Sequence, residues 1–227
     1  MGGELGEAWR SARIQRQDGW LSGPKWLGKN SRGCVLRGYG YRIGDMTLEY
    51  TTSYLKDALD IFRYYKKQGE RAMEQIPDAS LFTAPDAESN SIAIIVKHMA
   101  GNMRSRWTDF LNSDGEKPDR NRDAEFEAPP QTRVELLALW ETGWSCVFGA
   151  LEPLSDADIT RAVYIRTERH SVMQAINRQT AHYAYHVGQI VYLAKSFAGE
   201  QWRSLSIPRN RSAEFNSKVA SGQASQR

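Results

Sequence analysis

The sequence predicts an all-α fold, a four-helix bundle with irregular extensions at its two ends. Three observations lead there. Four stretches of about 20 to 28 residues carry apolar side chains at helical spacing. Strand-like alternation is confined to one short segment, RAVYIRTERHS. The polar segment between the second and third helical stretches is long enough for a crossover connection.

Residues 1–45 stand outside this pattern. Ten of them are glycine, and Arg, Lys and Trp are scattered among them without a period of 2 or 3.6. A segment such as GWLSGPKWLGKNSRG cannot bury a continuous face, so the expectation is a disordered extension. It holds no apolar core for a secretory signal. Periodic sequence starts directly after Met46, at MTLEYTTSYLKDALDIF. That makes Met46 a candidate natural start, with a genuine disordered tail as the alternative.

The first helix is expected from about Thr47 to Gln75, with Leu55, Ala58, Phe62, Tyr65, Ala72, Met73 and Ile76 on one stripe and Pro77 as its stop. DASLFTAPDAESN then reads as a loop. Asn90 or Ser91 caps a second helix, whose buried stripe is Ile92, Ile95, Val96, Met99 and Met103. The loop NSDGEKPDRNRDAEFEAPP follows, and it is longer than a structural connection needs. Thr132 and Glu135 form a capping-box pair at the head of a third helix, with Leu136, Trp140, Trp144, Val147 and Leu151 on its core face. RAVYIRTERHS is either a short extended piece or irregular. A fourth helix starts near Ser171, with Gln174 as its capping-box partner, and ends before Gly199. Its stripe is Ile176, Tyr183, Val187, Ile190 and Ala194. The folded domain is thus expected over 46–215, and 216–227 as a disordered tail.

Residues 1–45 hold eight Lys/Arg and four Asp/Glu, a net +4, against a formal +3 for the whole chain. The folded part is therefore close to neutral, which gives no ground for nucleic acid or an anionic membrane as partner. No run approaches the roughly 18 apolar residues of a membrane helix. The two cysteines, Cys34 and Cys146, form no CxxC, so no disulfide framework is indicated and a reducing cytoplasm is the expected setting. Cys146 reads as a small core residue. Trp107, Trp140, Trp144, Tyr183 and Tyr185 have helical spacing, which core packing explains.

Chemistry concentrates on the four histidines, His98, His170, His182 and His186. His182 and His186 lie four apart, so their rings project from one helix face about one turn apart. Such pairs more often serve structure than a metal ion. His98 falls beside the apolar stripe of the second helix, and ligands from facing helices of a bundle can meet in its core. Three imidazoles leave an open coordination position, as in a catalytic site, and suit Zn, Ni, Cu or Fe. His170, at the helix entrance, reads as a surface residue. No carboxylate stands out near the histidines as a general base.

IVKHMAGNMRSRWTDFL, DGEKPDRNRDAEF and HSVMQAINRQTAHYAYHVGQIVYLAK together resemble the DinB-like superfamily, and within it a subfamily related to the YfiT-like thiol transferases. The resemblance covers approximately Met46 to Phe215. It implies a four-helix bundle, often dimeric, with a divalent metal on His98, His182 and His186. Zinc or nickel is expected first, with iron or manganese as alternatives. It also implies a small-molecule substrate and a transferase that activates a low-molecular-weight thiol. A metal-binding protein without catalysis, or a stress-responsive interaction protein, is the competing expectation. Arg104, Arg106, Arg120 and Arg122 are candidates for the carboxylates of such a thiol, against a solvated-surface reading for at least two of them. Asn102, Gln179 and Gln189 are candidates to orient a ligand, against ordinary interior hydrogen bonding.

Overall fold

The structure, a computed structural model, describes residues 53–225. The expectations for residues 1–45, for Cys34, for Met46 as a start and for the helix before Ser53 lie outside them. The described residues form six α-helices and one two-stranded sheet.

Helix α1, Tyr54–Met73, opens where the Ser53 hydroxyl accepts the Lys56 N–H. Pro77 does more than stop it. It sits at the N-cap of a five-residue helix, α2 (Asp78–Phe82), which replaces the expected loop and buries Leu81 completely. A missing N–H costs nothing at a helix start. Helix α3 runs over Ile92–Trp107, with Ser91 rather than Asn90 as its cap. Helix α4, Arg133–Leu151, begins at the expected Thr132/Glu135 capping box.

The segment left open between strand and irregular is an antiparallel hairpin. Its strands are β1 (Ala162–Ile165) and β2 (Glu168–Ser171), with Val163 opposite His170. Its turn uses two non-glycine residues at positive φ, Arg166 (55°) and Thr167 (66°). Helix α5, Val172–Ala198, starts at the Ser171/Gln174 capping box and ends at Gly199, φ 54°. Helix α6, Ser212–Ala220, stands where the sequence predicts the start of an irregular tail. None of its residues is buried, so it presents no apolar stripe of the kind that marks the other helices.

Helix α1 packs on α5 and α3 on α4, while α3 also meets α5 and α1 meets α4. The four stripes face this interior. Phe62, Trp144 and Tyr183 meet at ring separations of 5.6 Å (Phe62–Tyr183) and 5.4 Å (Trp144–Tyr183). Trp107 Nε1 donates to the Tyr183 hydroxyl at 2.8 Å, which satisfies a buried polar pair. Gly143 sets the closeness of α3 to α4: a Cβ there would lie 3.0 Å from the Ala100 Cα. Two residues expected in the core lie at its edge. Tyr185 is 64% exposed and Cys146 is half-buried. Each follows a core residue by two positions, about 200° around the helix from it. No helix among the described residues is long and apolar enough to cross a membrane.

Candidate metal centre

His98 projects from the middle of α3, and His182 and His186 from one face of α5. Because α3 packs on α5, the three rings converge. His98 Nε2 lies 3.3 Å from His182 Nε2, and His186 Nε2 lies 3.1 Å from the same atom. The ligating atoms of all three fall within 4.8 Å of one another, close enough to hold one metal ion. Metal–nitrogen bonds of about 2.0–2.1 Å in tetrahedral geometry put neighbouring nitrogens roughly 3.3 Å apart. The two measured separations match that edge.

The far sides of the rings decide which nitrogen carries the proton. His98 Nδ1 meets Glu125 Oε2 at 2.9 Å, and His186 Nδ1 meets Gln189 Oε1 at 2.8 Å. A carboxylate or an amide oxygen only accepts, so both Nδ1 atoms donate and both Nε2 lone pairs point inward. His182 Nδ1 is buried, with no partner among the described residues. Burial, aided by the neighbouring His186 and His98, pushes the His182 pKa down to about 3, and burial lowers that of His186 as well. Both rings are therefore neutral at pH 7, the form that binds a metal ion.

Glu125 is the residue that sequence reasoning missed. It belongs to the long loop between α3 and α4, which folds back along α3. Lys97 Nζ pins that loop by donating to the carbonyls of Ala124 (2.7 Å) and Glu127 (2.6 Å). A 3-10 turn over Asp123–Phe126 then lays Phe126 on the His98 ring, centroids 4.7 Å apart, and turns Glu125 inward. Gly101 leaves the space for it: a Cβ there would lie 2.5 Å from Glu125 Oε1. Arg120 clamps the same carboxylate, Nε to Oε1 at 2.8 Å and Nη2 to Oε2 at 3.0 Å. Burial acts to raise the Glu125 pKa, but the bonds from His98 and Arg120 outweigh it and hold the carboxyl below its ordinary value. No periodicity marks Glu125 among the neighbouring Asp123 and Glu127, so the sequence carried no local signal for it.

Of the other candidates, only Arg104 and His170 lie away from the histidines. Gln189 is the partner of His186. Asn102 accepts from the Tyr183 hydroxyl at 3.4 Å and lines the cavity shared with the histidines. Gln179 is buried, and its Oε1 has no partner. Arg106, Arg120 and Arg122 border the histidines, whereas Arg104 is exposed and pairs with Asp119. His170 lies on β2, outside the cluster and partly buried rather than on the surface. A cavity of about 430 Å³ opens beside the three histidines, with Tyr185 and Gln179 in its wall.

Residues 49–211 match the family described as a protein of unknown function, DUF1572. The chain belongs to this family. The DUF1572 match takes in all three histidines, Glu125 and the looped segment that carries it, and it stops just short of α6. No curated protein matches the chain.

Proposed function

We propose that this DUF1572 protein is a metal-dependent enzyme of the DinB-like kind, a transferase that activates a low-molecular-weight thiol. In this reading α1, α3, α4 and α5 are the four helices of the bundle, and His98, His182 and His186 hold zinc or nickel, or else iron or manganese. The protein acts in the cytoplasm, as a homodimer. The observation that carries the reading is the set of three inward Nε2 atoms, two of them fixed in tautomer from behind by Glu125 and Gln189.

Bound there, a divalent ion would supply Lewis acidity that brings a coordinated water or thiol toward its anion at neutral pH. The chain's own residues do the rest. Glu125 and Gln189 keep His98 and His186 turned toward the centre. The orphan His182 Nδ1 is the ring nitrogen left over when Nε2 is the ligating atom. The neighbouring cavity gives a small substrate room, which favours an enzyme over a closed metal store.

Elemental analysis of the purified protein beside His182→Ala tests the centre. Stoichiometric metal in the first and its loss in the second is the expected result. Thiol addition to a Co(II)-substituted sample should then shift the visible spectrum. An unchanged spectrum would discard the thiol chemistry.

A further inference from the structure

Among the described residues, the cavity beside the histidines is bordered by five arginines and by no Asp or Glu. Two of them, Arg106 and Arg120, are buried beneath it, with side-chain exposures of 6% and 4%. The other three, Arg122, Arg166 and Arg178, stand exposed at the rim. They come from three separate places: the α3–α4 loop, the hairpin turn and α5.

The nearby acids do not balance them. Glu116 is shared by Arg106 (2.8 Å), Arg120 (3.2 Å) and Arg166 (3.2 Å), and Glu125 is taken by Arg120 and His98. Glu116 and Glu125 therefore serve three of the five guanidinium groups, and Asp114 adds a third negative charge near Arg106 and the Arg166 backbone. Arg122 touches the Phe126 ring, 5.2 Å from its centroid, and among the described residues neither it nor Arg178 has an acidic partner. Arg106 also keeps its Nε buried without a partner at the cavity wall. The buried Arg106 and Arg120 share Glu116, while Arg122 and Arg178 stand exposed, so a bound anion would add counter-charge to a cluster with net positive charge.

The hairpin turn adds a sign of construction. Arg166 and Thr167 are consecutive non-glycine residues in the left-handed region, and Thr is β-branched, so the turn is strained. Asp114 holds it, Oδ1 accepting the Arg166 N–H at 2.8 Å and Oδ2 the Thr167 N–H at 2.7 Å. The result is a backbone turn that sets Arg166 at the cavity mouth.

We infer that Arg122, Arg166 and Arg178, with Arg106 beneath them, form an oxyanion subsite for a carboxylate or phosphate group of the molecule that enters this cavity. The planar donor fork of arginine suits both anions. The inference rests on the proposed metal-centre reading for its role, since the subsite would hold the far end of a substrate whose reactive group faces the histidines. Arg178 precedes His182 by four residues and shares its helix face, which sets that spacing.

The test uses the full chain, metal-stripped and zinc-loaded, in calorimetric titrations with inorganic phosphate and with succinate at low ionic strength. Saturable binding of at least one anion is expected in both forms, and the tighter of the two identifies the source as phosphate or carboxylate. Arg122→Gln and Arg178→Gln change exposed residues, and each should weaken binding about tenfold while elemental analysis and circular dichroism stay at wild type. Arg104→Gln, outside the cavity, should leave it unchanged. Absence of saturable binding, or equal loss in all three variants, overturns the subsite. A protein that takes up no metal on zinc loading yet still binds the anion would instead retire the metal centre and leave the subsite standing.

Discussion

Gly101→Ala is the sharpest test of how the centre is held. On the solvent face of a helix the change would stabilise by about 1 kcal/mol, since Ala is the better helix former. Here the added Cβ would lie 2.5 Å from Glu125 Oε1 and 2.7 Å from its Cδ. Normal contact requires the carboxylate to retreat by about 1 Å. That carries the 2.9 Å bond to His98 beyond hydrogen-bond reach and loosens the Arg120 clamp. Breaking a buried ion pair costs about 3–5 kcal/mol. Less the gain in helix propensity, the net loss is about 2–4 kcal/mol. Gly149→Ala is the matched control, because nothing lies within 4 Å of a Cβ built there. Denaturant unfolding of the metal-stripped proteins should place Gly149→Ala at or above wild type and Gly101→Ala well below it. In metal competition Gly101→Ala should also lose about tenfold or more in affinity, the usual cost of removing a ligand's supporting hydrogen bond. If the two alanine variants unfold at the same denaturant concentration, the claim that Gly101 makes room for Glu125 fails.

Two further outcomes follow from the same contacts. Arg133 ties the end of α1 to the start of α4 by donating to the carbonyls of Met73 (3.1 Å) and Ile76 (2.7 Å), so Arg133→Ala should cost about 1–3 kcal/mol in thermal or denaturant unfolding; an unchanged midpoint would remove that cap. Burial acts to raise the Asp114 pKa, but the backbone bonds from Glu116, Thr167 and Arg166 hold it below its ordinary value. A depressed folded-state pKa means the turn is held above the unfolded value, about 3.9, and is released as pH falls through the folded one. Amide exchange at Arg166 and Thr167 should therefore stay protected at mildly acidic pH and lose protection only as pH falls through the depressed folded-state value, and persistent protection in strong acid would contradict the role given to Asp114.

What the sequence made legible was whatever depends on neighbours along the chain. The stripes, the Thr132/Glu135 and Ser171/Gln174 capping boxes and the Gly199 stop are each settled within a few residues. His182 and His186 stood out for the same reason. Arg178 carried a similar signal, one turn before His182 on the same face, and went unread. Helix α2 is too short for periodicity to show, and α6 buries nothing that would mark it. Glu125 lay beyond any local reading. Its place is set by the absent Cβ of Gly101, the grip of Lys97 on the loop and the guanidinium of Arg120, none of which a spacing rule connects. No carboxylate stood out near the histidines because Glu125 sits in a loop that reads as solvent-exposed polar sequence.

Glu125 also separates the two proposals, because its charge does two opposite things. It orients His98 for a cation, and it cancels part of the positive charge that Arg120 brings beneath the cavity. Glu125→Gln keeps nearly the same volume and removes that charge. Metal affinity should fall about tenfold as His98 loses its anionic partner. Phosphate binding should tighten over the same range of salt, since Arg120 is then answered by Glu116 alone, which it already shares with Arg106 and Arg166. A variant that merely folds badly weakens both. Opposite signs in one pair of titrations would tie the cation centre and the anion subsite to a single carboxylate, and matching signs would show that they do not share it.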